Sequence, residues 1–220
     1  MSKLRVGIVG CGEVTQILHL PSLYQLSHLF EVTALCDISP TVLNGVGDVW
    51  GIQRRYSDYH ELVTDATIDV VLVANPNVDH ADTILAAARA GKHVLVEKPM
   101  CMTLEEADQV IAAERETGVT IQVGYMRRYA PAFVEACQRV AVLDSIRFAR
   151  IHDFLGTNRQ FIEPTSRVIR GDDIPVAVKS VSRERAQRKV EQAVGSVPAA
   201  LVSTYNLLLG LGSHDISAMR

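Results

Sequence analysis

The feature that most constrains this chain is the Gly10-Cys11-Gly12 turn, set between an apolar run and a helical pattern. The run Leu4-Arg5-Val6-Gly7-Ile8-Val9 has the length and apolar continuity of a strand buried on both faces. From Val14 to Ser27 the apolar positions recur at helical spacing, with Pro21 expected to bend or break the segment. The same alternation then repeats. Strand-like runs stand at 31–36, 70–74, 93–96 and 120–123, and helical patterns at 59–63, 80–90 and 103–117. Thr103 and Glu106 have capping-box spacing, and Gly91 and Gly118 are natural helix stops. Strands and helices in this rhythm predict right-handed βαβ units and a doubly wound, mostly parallel sheet over residues 1–124, an α/β fold of Rossmann type.

The character changes after Gly124. Residues 130–140 read as a helix, and 145–154 as a strand of alternating faces that would bury Ile146, Phe148 and Ala149. Residues 156–174 are polar and irregular. Residues 180–194 are charge-rich, with Val181, Ala186, Val190 and Ala193 at helical spacing; they predict a surface helix with a solvated face and no chemistry.

The first turn carries a ligand signature. Glycine there permits a tight turn, and the lack of a β-carbon lets the backbone approach a pyrophosphate, which the N–H groups opening the next helix, at Glu13 and Val14, would face. Thr15 stands where the fingerprint has its third glycine, a position that serves helix packing more than phosphate contact. Asp37 closes the second strand, 25 positions beyond Gly12. Its carboxylate can accept hydrogen bonds from the adenosine ribose and would repel a 2′-phosphate; Ile38, Ser39 and Pro40 include no arginine to receive one. The expected cofactor is therefore NAD rather than NADP. The plainer alternative is that Asp37 only caps a turn before Pro40.

A second cluster is more specific: Asn75-Pro76-Asn77, then His80, then Ala90-Gly91-Lys92-His93-Val94-Leu95-Val96-Glu97-Lys98-Pro99. Over residues 4–135, and again weakly at Gly212-Ser213-His214-Asp215, the chain resembles the glucose–fructose oxidoreductase and inositol dehydrogenase family, Gfo/Idh/MocA. The resemblance implies a dinucleotide domain over 1–124. From 125 it implies an α+β domain with an open sheet that carries the substrate pocket and a homo-oligomer interface. It places Asn75, Pro76, His80, Glu97 and Lys98 beside the cofactor, with Pro99 often cis. It sets Lys98, Tyr125, Arg127 and His214 toward substrate. An ammonium at the end of a parallel strand can polarise a substrate oxygen, though a strand-end lysine is more often plain surface; Glu97 could orient it. His214 is the candidate general base, its imidazole suited to a hydroxyl proton. The family pattern has an aspartate four residues before that histidine, whereas here Gly210 stands there and Asp215 follows. Either Arg127 or Arg128 could meet the ligand or form an ordinary salt bridge.

These readings imply a dehydrogenase that moves a hydride between nicotinamide and a secondary alcohol or carbonyl of a sugar, cyclitol or related polyol. The alternatives are a non-catalytic dinucleotide-binding relative, or an enzyme with another substrate such as an imine. A net charge of -3 argues against nucleic acid or an acidic membrane surface as partner, and no apolar run is long enough to span a bilayer. Cys11, Cys36, Cys101 and Cys137 have no metal-ligand spacing and read as reduced thiols of a cytoplasmic protein; no metal is expected. With one or two strands visible after residue 124, and a stop six residues past His214, the second domain is expected to be incomplete.

Overall fold

The computed structural model describes residues 2–152 and 159–220. The first half runs β1 (Leu4–Val9), a π-helical turn (Thr15–His19) continuing into α1 (Leu20–Gln25), β2 (Phe30–Cys36), α2 (Pro40–Trp50), β3 (Arg54–Tyr56), α3 (Tyr59–Thr64) and β4 (Val70–Val73). A 3-10 turn (Asn77–Asp79), α4 (His80–Arg89), β5 (His93–Val96), α5 (Leu104–Thr117) and β6 (Ile121–Val123) follow. All six strands pair in parallel, in the order β3-β2-β1-β4-β5-β6. The order reverses between β1 and β4, so the crevice beyond their carboxyl ends is where a sheet of this kind takes a ligand.

Alternation along the strands builds both faces. Val71 and Val73 enter one core cluster with Ile84, Val94 and Val110, while Leu72 joins Val6, Ile8, Leu20 and Leu35 in the other. The helices are closed as the residue types dictate. Thr103 and Glu106 form the reciprocal capping box of α5, and Gly118, at φ 70°, ends it. The expected break at Pro21 takes another form: the π turn widens the helix just before it, leaving Pro21, which has no N–H to give, in the first turn of α1. Two elements, α2 and β3, were not anticipated. Ser39 caps α2, Pro40 opens it and Gly51, at φ 69°, closes it, but Asn44, Gly45 and Gly47 hide its helical character in the sequence.

Asp65, beyond α3, accepts from Thr67 N and Oγ1 at 2.8 and 2.7 Å and from Tyr56 Oη at 2.9 Å. The Thr67 bonds first, with Tyr56 and Arg54 added, outweigh desolvation and hold its carboxyl down at about 2. A depressed folded pKa gives stability that is present above the unfolded value and is lost as pH falls through the folded one. Asp65→Asn is accordingly expected to lower the urea unfolding midpoint near neutral pH, with the gap to the parent narrowing as the pH falls from about 4 to about 2.

Beyond β6 come a 3-10 turn (Met126–Tyr129), α6 (Pro131–Ala141), α7 (Arg159–Thr165), α8 (Val176–Val194), α9 (Ala199–Leu207), a π turn (Leu208–Gly212) and α10 (Ser213–Met219). Among the described residues after 123 there is no strand, so the expected open sheet is not formed by them. The strand expected at 145–154 is irregular over 145–152, with Ile146, Phe148 and Ala149 all exposed; 153–154 lie outside the described residues. Alternation defines a face, but a strand also needs a neighbouring strand for its N–H and C=O groups, and the described residues form none beyond β6. The irregular stretch expected from 156 contains α7.

The solvated reading of 180–194 also changes. Val190 of α8 is fully buried against Val78 and Met102. Arg185 reaches Asp79 at 2.5 Å and Asp82 at 2.7 Å, and Lys189 pairs with Glu106 and donates to Val78 O. The helix is tied to the amino-terminal ends of α4 and α5. Arg185 and Lys189 are docking groups whose partners lie about a hundred residues away, while Glu184 and Arg188 stay on an exposed face.

Candidate functional site

The phosphate-type turn is built around one strained position. Gly10 has φ 94°, and a β-carbon there would run into the Ala74 carbonyl and lie 2.5 Å from Asn75 N. Gly10 N donates to Cys36 O at 2.8 Å, and the buried Thr15 hydroxyl donates to Gly10 O at 2.6 Å. The residue in the third fingerprint position thus locks the turn from below. Gln16 Nε2 adds a bond to Cys11 O at 2.8 Å. Gly12 differs: a β-carbon there would meet nothing within 4 Å, so the space beside it is open. Glu13 and Val14 open the helix beyond it; the Glu13 carboxylate is paired with Arg170 at 2.5 Å.

Asp37 caps the turn before Pro40, the plainer of its two alternatives, and also reaches the glycine turn. Its Oδ1 accepts Ser39 N at 2.8 Å, the turn cap, and its Oδ2 accepts Cys11 N at 2.8 Å, joining the end of β2 to the glycine turn. Each carboxylate oxygen keeps acceptor capacity after one bond. Across the crevice, Asn75 donates to Thr83 Oγ1 at 2.9 Å, while its buried Oδ1 has no partner among the described residues. Pro76, in extended backbone, leads into the 3-10 turn. These residues fit a dinucleotide: an open Cβ position at the turn, a helix start above it, a carboxylate at the end of β2 and an orphaned amide oxygen at the end of β4.

His80 is buried, with Nδ1 2.6 Å from Pro99 O and Nε2 2.8 Å from Asn75 O. A neutral imidazole donates to one of these and a protonated one to both. With both ring nitrogens engaged, the ring braces the Asn75 loop against the Lys98-Pro99 turn, whose peptide bond is cis. His93, at the exposed start of β5, accepts Thr120 N at 3.0 Å and is satisfied structurally.

At the carboxyl end of β5, Glu97 is half-buried between two partners: His19 Nε2 at 2.8 Å and the backbone N–H of Lys98 at 3.2 Å. Burial alone would push its carboxyl up, but the His19 bond and charge, with the Lys98 contacts, leave it below the ordinary value. Glu97 therefore holds Lys98 through its backbone N–H. The ammonium instead donates to Gly210 O at 2.8 Å. His19 was missed in the sequence; a lone histidine in an amphipathic helix gives no signal until the fold sets it against Glu97.

The π turn and α10 lie over this end of the sheet. His214 is 4% exposed and meets the Tyr125 ring edge-on, with centroids 5.9 Å apart. Arg127 Nη1 lies 3.5 Å from Asp215 Oδ1, and Arg128 donates to Ser217 O. Lys98, Tyr125, Arg127 and His214 are thus gathered at one place, and both arginines take the salt-bridge or carbonyl-binding option toward α10. The position that lacks the expected aspartate, Gly210, offers its main-chain carbonyl to the lysine. The thiols of Cys11 and Cys36 are buried; desolvation, then Asp37, pushes both up, Cys36 to about 12, which makes them poor nucleophiles.

A model of an oxidoreductase family with the NAD-binding Rossmann fold matches residues 4–125. The chain is 36% identical over 131 residues to an uncharacterized oxidoreductase, YrbE, of Bacillus subtilis, covering 60% of this chain and 38% of that protein. It is 37% identical over 134 residues to inositol 2-dehydrogenase of Salmonella typhimurium, covering 60% and 40%. The chain thus spans about two fifths of the length of the curated relatives it matches. Among solved structures it is similar to scyllo-inositol dehydrogenase from Lactobacillus casei with bound NAD(H) and scyllo-inositol, at TM-score 0.60 and 27% identity over 64% of this chain and 41% of that one. A 3-ketoreductase from Actinomadura kijaniata in complex with TDP-benzene and NADP matches at TM-score 0.59 and 29% identity over 64% and 44%.

Proposed function

Because this chain belongs to the Gfo/Idh/MocA oxidoreductase family, we propose that it binds NAD and serves hydride transfer between the nicotinamide and a secondary alcohol or carbonyl of a sugar, cyclitol or related polyol. The observation that carries the reading is the meeting of the Lys98 ammonium with the Gly210 carbonyl, which brings the turn preceding His214 to the end of β5 beside the crevice. Bound nicotinamide would supply the hydride acceptor or donor. Lys98 would polarise the substrate oxygen, and His214 would take or return the hydroxyl proton. Gly10, Gly12, Glu13 and Val14 would lie along the pyrophosphate, Asp37 on the adenosine ribose, and Asn75, Pro76 and Glu97 toward the nicotinamide, with His80 bracing them. Tyr125 and Arg127 would line the substrate side. In this reading residues 1–124 are the dinucleotide unit and 125–220 begin the substrate unit.

Relatives named as inositol dehydrogenases support the polyol class. A non-catalytic dinucleotide-binding role draws support from Gly210, which leaves His214 without the acid expected four residues earlier; NADH formation with any polyol at catalytic rates separates the two. NAD is preferred to NADP because the Asp37 carboxylate stands at the end of β2. Titration of the chain with NADH and with NADPH, followed by nicotinamide fluorescence, tests the site. Asp37→Ala is expected to weaken NADH about 10- to 100-fold, the range for a lost hydrogen bond to a charged group. It should leave NADPH much less affected, since the same carboxylate opposes the 2′-phosphate. Equal loss for both cofactors would reduce Asp37 to a turn cap.

A further inference from the structure

Residues 169–173 lie against the rim of the crevice at its adenosine end. Ile169 exchanges two hydrogen bonds with Gln16: its N–H donates to Oε1 at 2.8 Å, and its carbonyl accepts Nε2 at 2.9 Å. Its side chain joins the core cluster under α2, where the missing β-carbon of Gly45 makes room for it. Arg170 pairs with Glu13 at the glycine turn. Gly171 passes so close to Ser39 that a β-carbon would strike the serine hydroxyl and come 2.5 Å from Asp173 Oδ1. Asp173 then closes the segment: its Oδ1 accepts Ser39 Oγ at 2.5 Å, and its Oδ2 accepts Thr41 N at 2.8 Å.

Ser39 is thereby held between two carboxylates, Asp37 on its N–H and Asp173 on its hydroxyl. We propose that Asp173 is a specificity-determining residue for the cofactor, supplied from outside the dinucleotide domain, and that with Asp37 it forms an anionic rim rejecting a phosphate on the adenosine ribose. The inference rests on the dinucleotide reading above. Two effects act together. The donors that could hold such a phosphate, Ser39 Oγ and Thr41 N–H, are already committed to Asp173, and a second negative charge faces the place where the phosphate would sit. The bonds from Ser39 and Thr41 keep the Asp173 carboxyl down at about 2, so it is ionised near neutrality. Arg170, the nearest cation on the segment, is occupied by Glu13.

The test is the ratio of NADPH to NADH dissociation constants for the full chain and for Asp173→Asn, Asp173→Ser and Asp173→Glu. The parent is expected to favour NADH by at least about tenfold. The Asn variant keeps an acceptor and loses the charge; it should narrow the ratio by about tenfold, with NADPH affinity moving more than NADH affinity. Ser should do the same and Glu should restore the gap; the Ser variant decides the matter if the Asn variant fails to fold. A ratio unchanged in both neutral variants, even with both affinities reduced, makes Asp173 a structural cap and overturns the inference while leaving the dinucleotide site intact. A parent chain that holds NADPH as well as NADH also overturns it. A parent that binds neither removes the dinucleotide reading itself, and this inference with it.

Discussion

Lys98→Met is expected to lower kcat for polyol oxidation by about 10²- to 10⁴-fold, the usual size of a lost electrophilic or proton-transfer contribution. Methionine keeps the length of the stem and removes the charge, so the change isolates the ammonium. Among the described residues that ammonium makes one hydrogen bond, to Gly210 O at 2.8 Å, and an ammonium has three protons to give. The backbone of Lys98 is held separately, by Glu97 Oε2 and the Lys98-Pro99 turn, so the turn should survive the substitution. Steady-state NADH formation across a panel of inositols and sugars, together with NADH affinity, reads the effect. The expected pattern is a collapse of kcat with cofactor affinity changed less than about threefold, the mark of an interaction made with the reacting oxygen and not with the dinucleotide. A variant that keeps full kcat would remove Lys98 from the chemistry.

The second large effect separates two glycines that look equivalent in the sequence. Gly10→Ala forces an L residue to φ 94° and drives its β-carbon into the Ala74 carbonyl and Asn75 N–H. Backbone strain of about 1–3 kcal/mol and overpacking of about 1–3 kcal/mol add to a destabilisation of roughly 3 kcal/mol or more. Neither neighbour can move cheaply, since both belong to the main chain at the end of β4. Gly12→Ala has an unstrained φ and no atom within 4 Å of the new methyl, so its unfolding free energy should change by less than about 1 kcal/mol. Its NADH affinity should nevertheless fall sharply, because the methyl points into the space that the pyrophosphate is proposed to take. Equilibrium urea unfolding and NADH titration of the two variants should give opposite signatures: stability lost at position 10, binding lost at position 12. A Gly12→Ala chain that binds NADH normally would move the cofactor away from this turn.

Much of the first half was legible because its information is local. Runs such as Val70-Val71-Leu72-Val73, short, β-branched and closely followed by Asn-Pro, read as strands covered on both faces, and their faces alternate into the two clusters observed. Caps and stops are likewise read from neighbouring residues: Thr103 with Glu106, and Gly118. α2 was obscured because Asn44, Gly45 and Gly47 are poor helix formers. Gly45 and Gly47 are there for contacts beyond the helix, with Ile169 and Arg55, which outweigh propensity. Ser39, Pro40 and Gly51 were the available boundary signals.

The second half shows the opposite balance. The alternation at 145–154 predicted a strand, yet residues 145–152 are irregular. The charges of α8 read as solvent-facing, yet Arg185 and Lys189 are matched to Asp79, Asp82 and Glu106. His19 had no signal until the first helix brought it to Glu97, 78 residues on. Asp173 stood in an irregular stretch until Ser39 and Thr41, more than 130 residues earlier, gave it hydrogen bonds. The amino-acid order alone therefore specified five of the six strands and the glycine turn, since periodicity, turn strain and capping act over a few residues. Which side chains meet across the crevice was settled only by the packed chain, because a hydrogen bond or ion pair between distant segments depends on where burial of the apolar faces has already set the backbone.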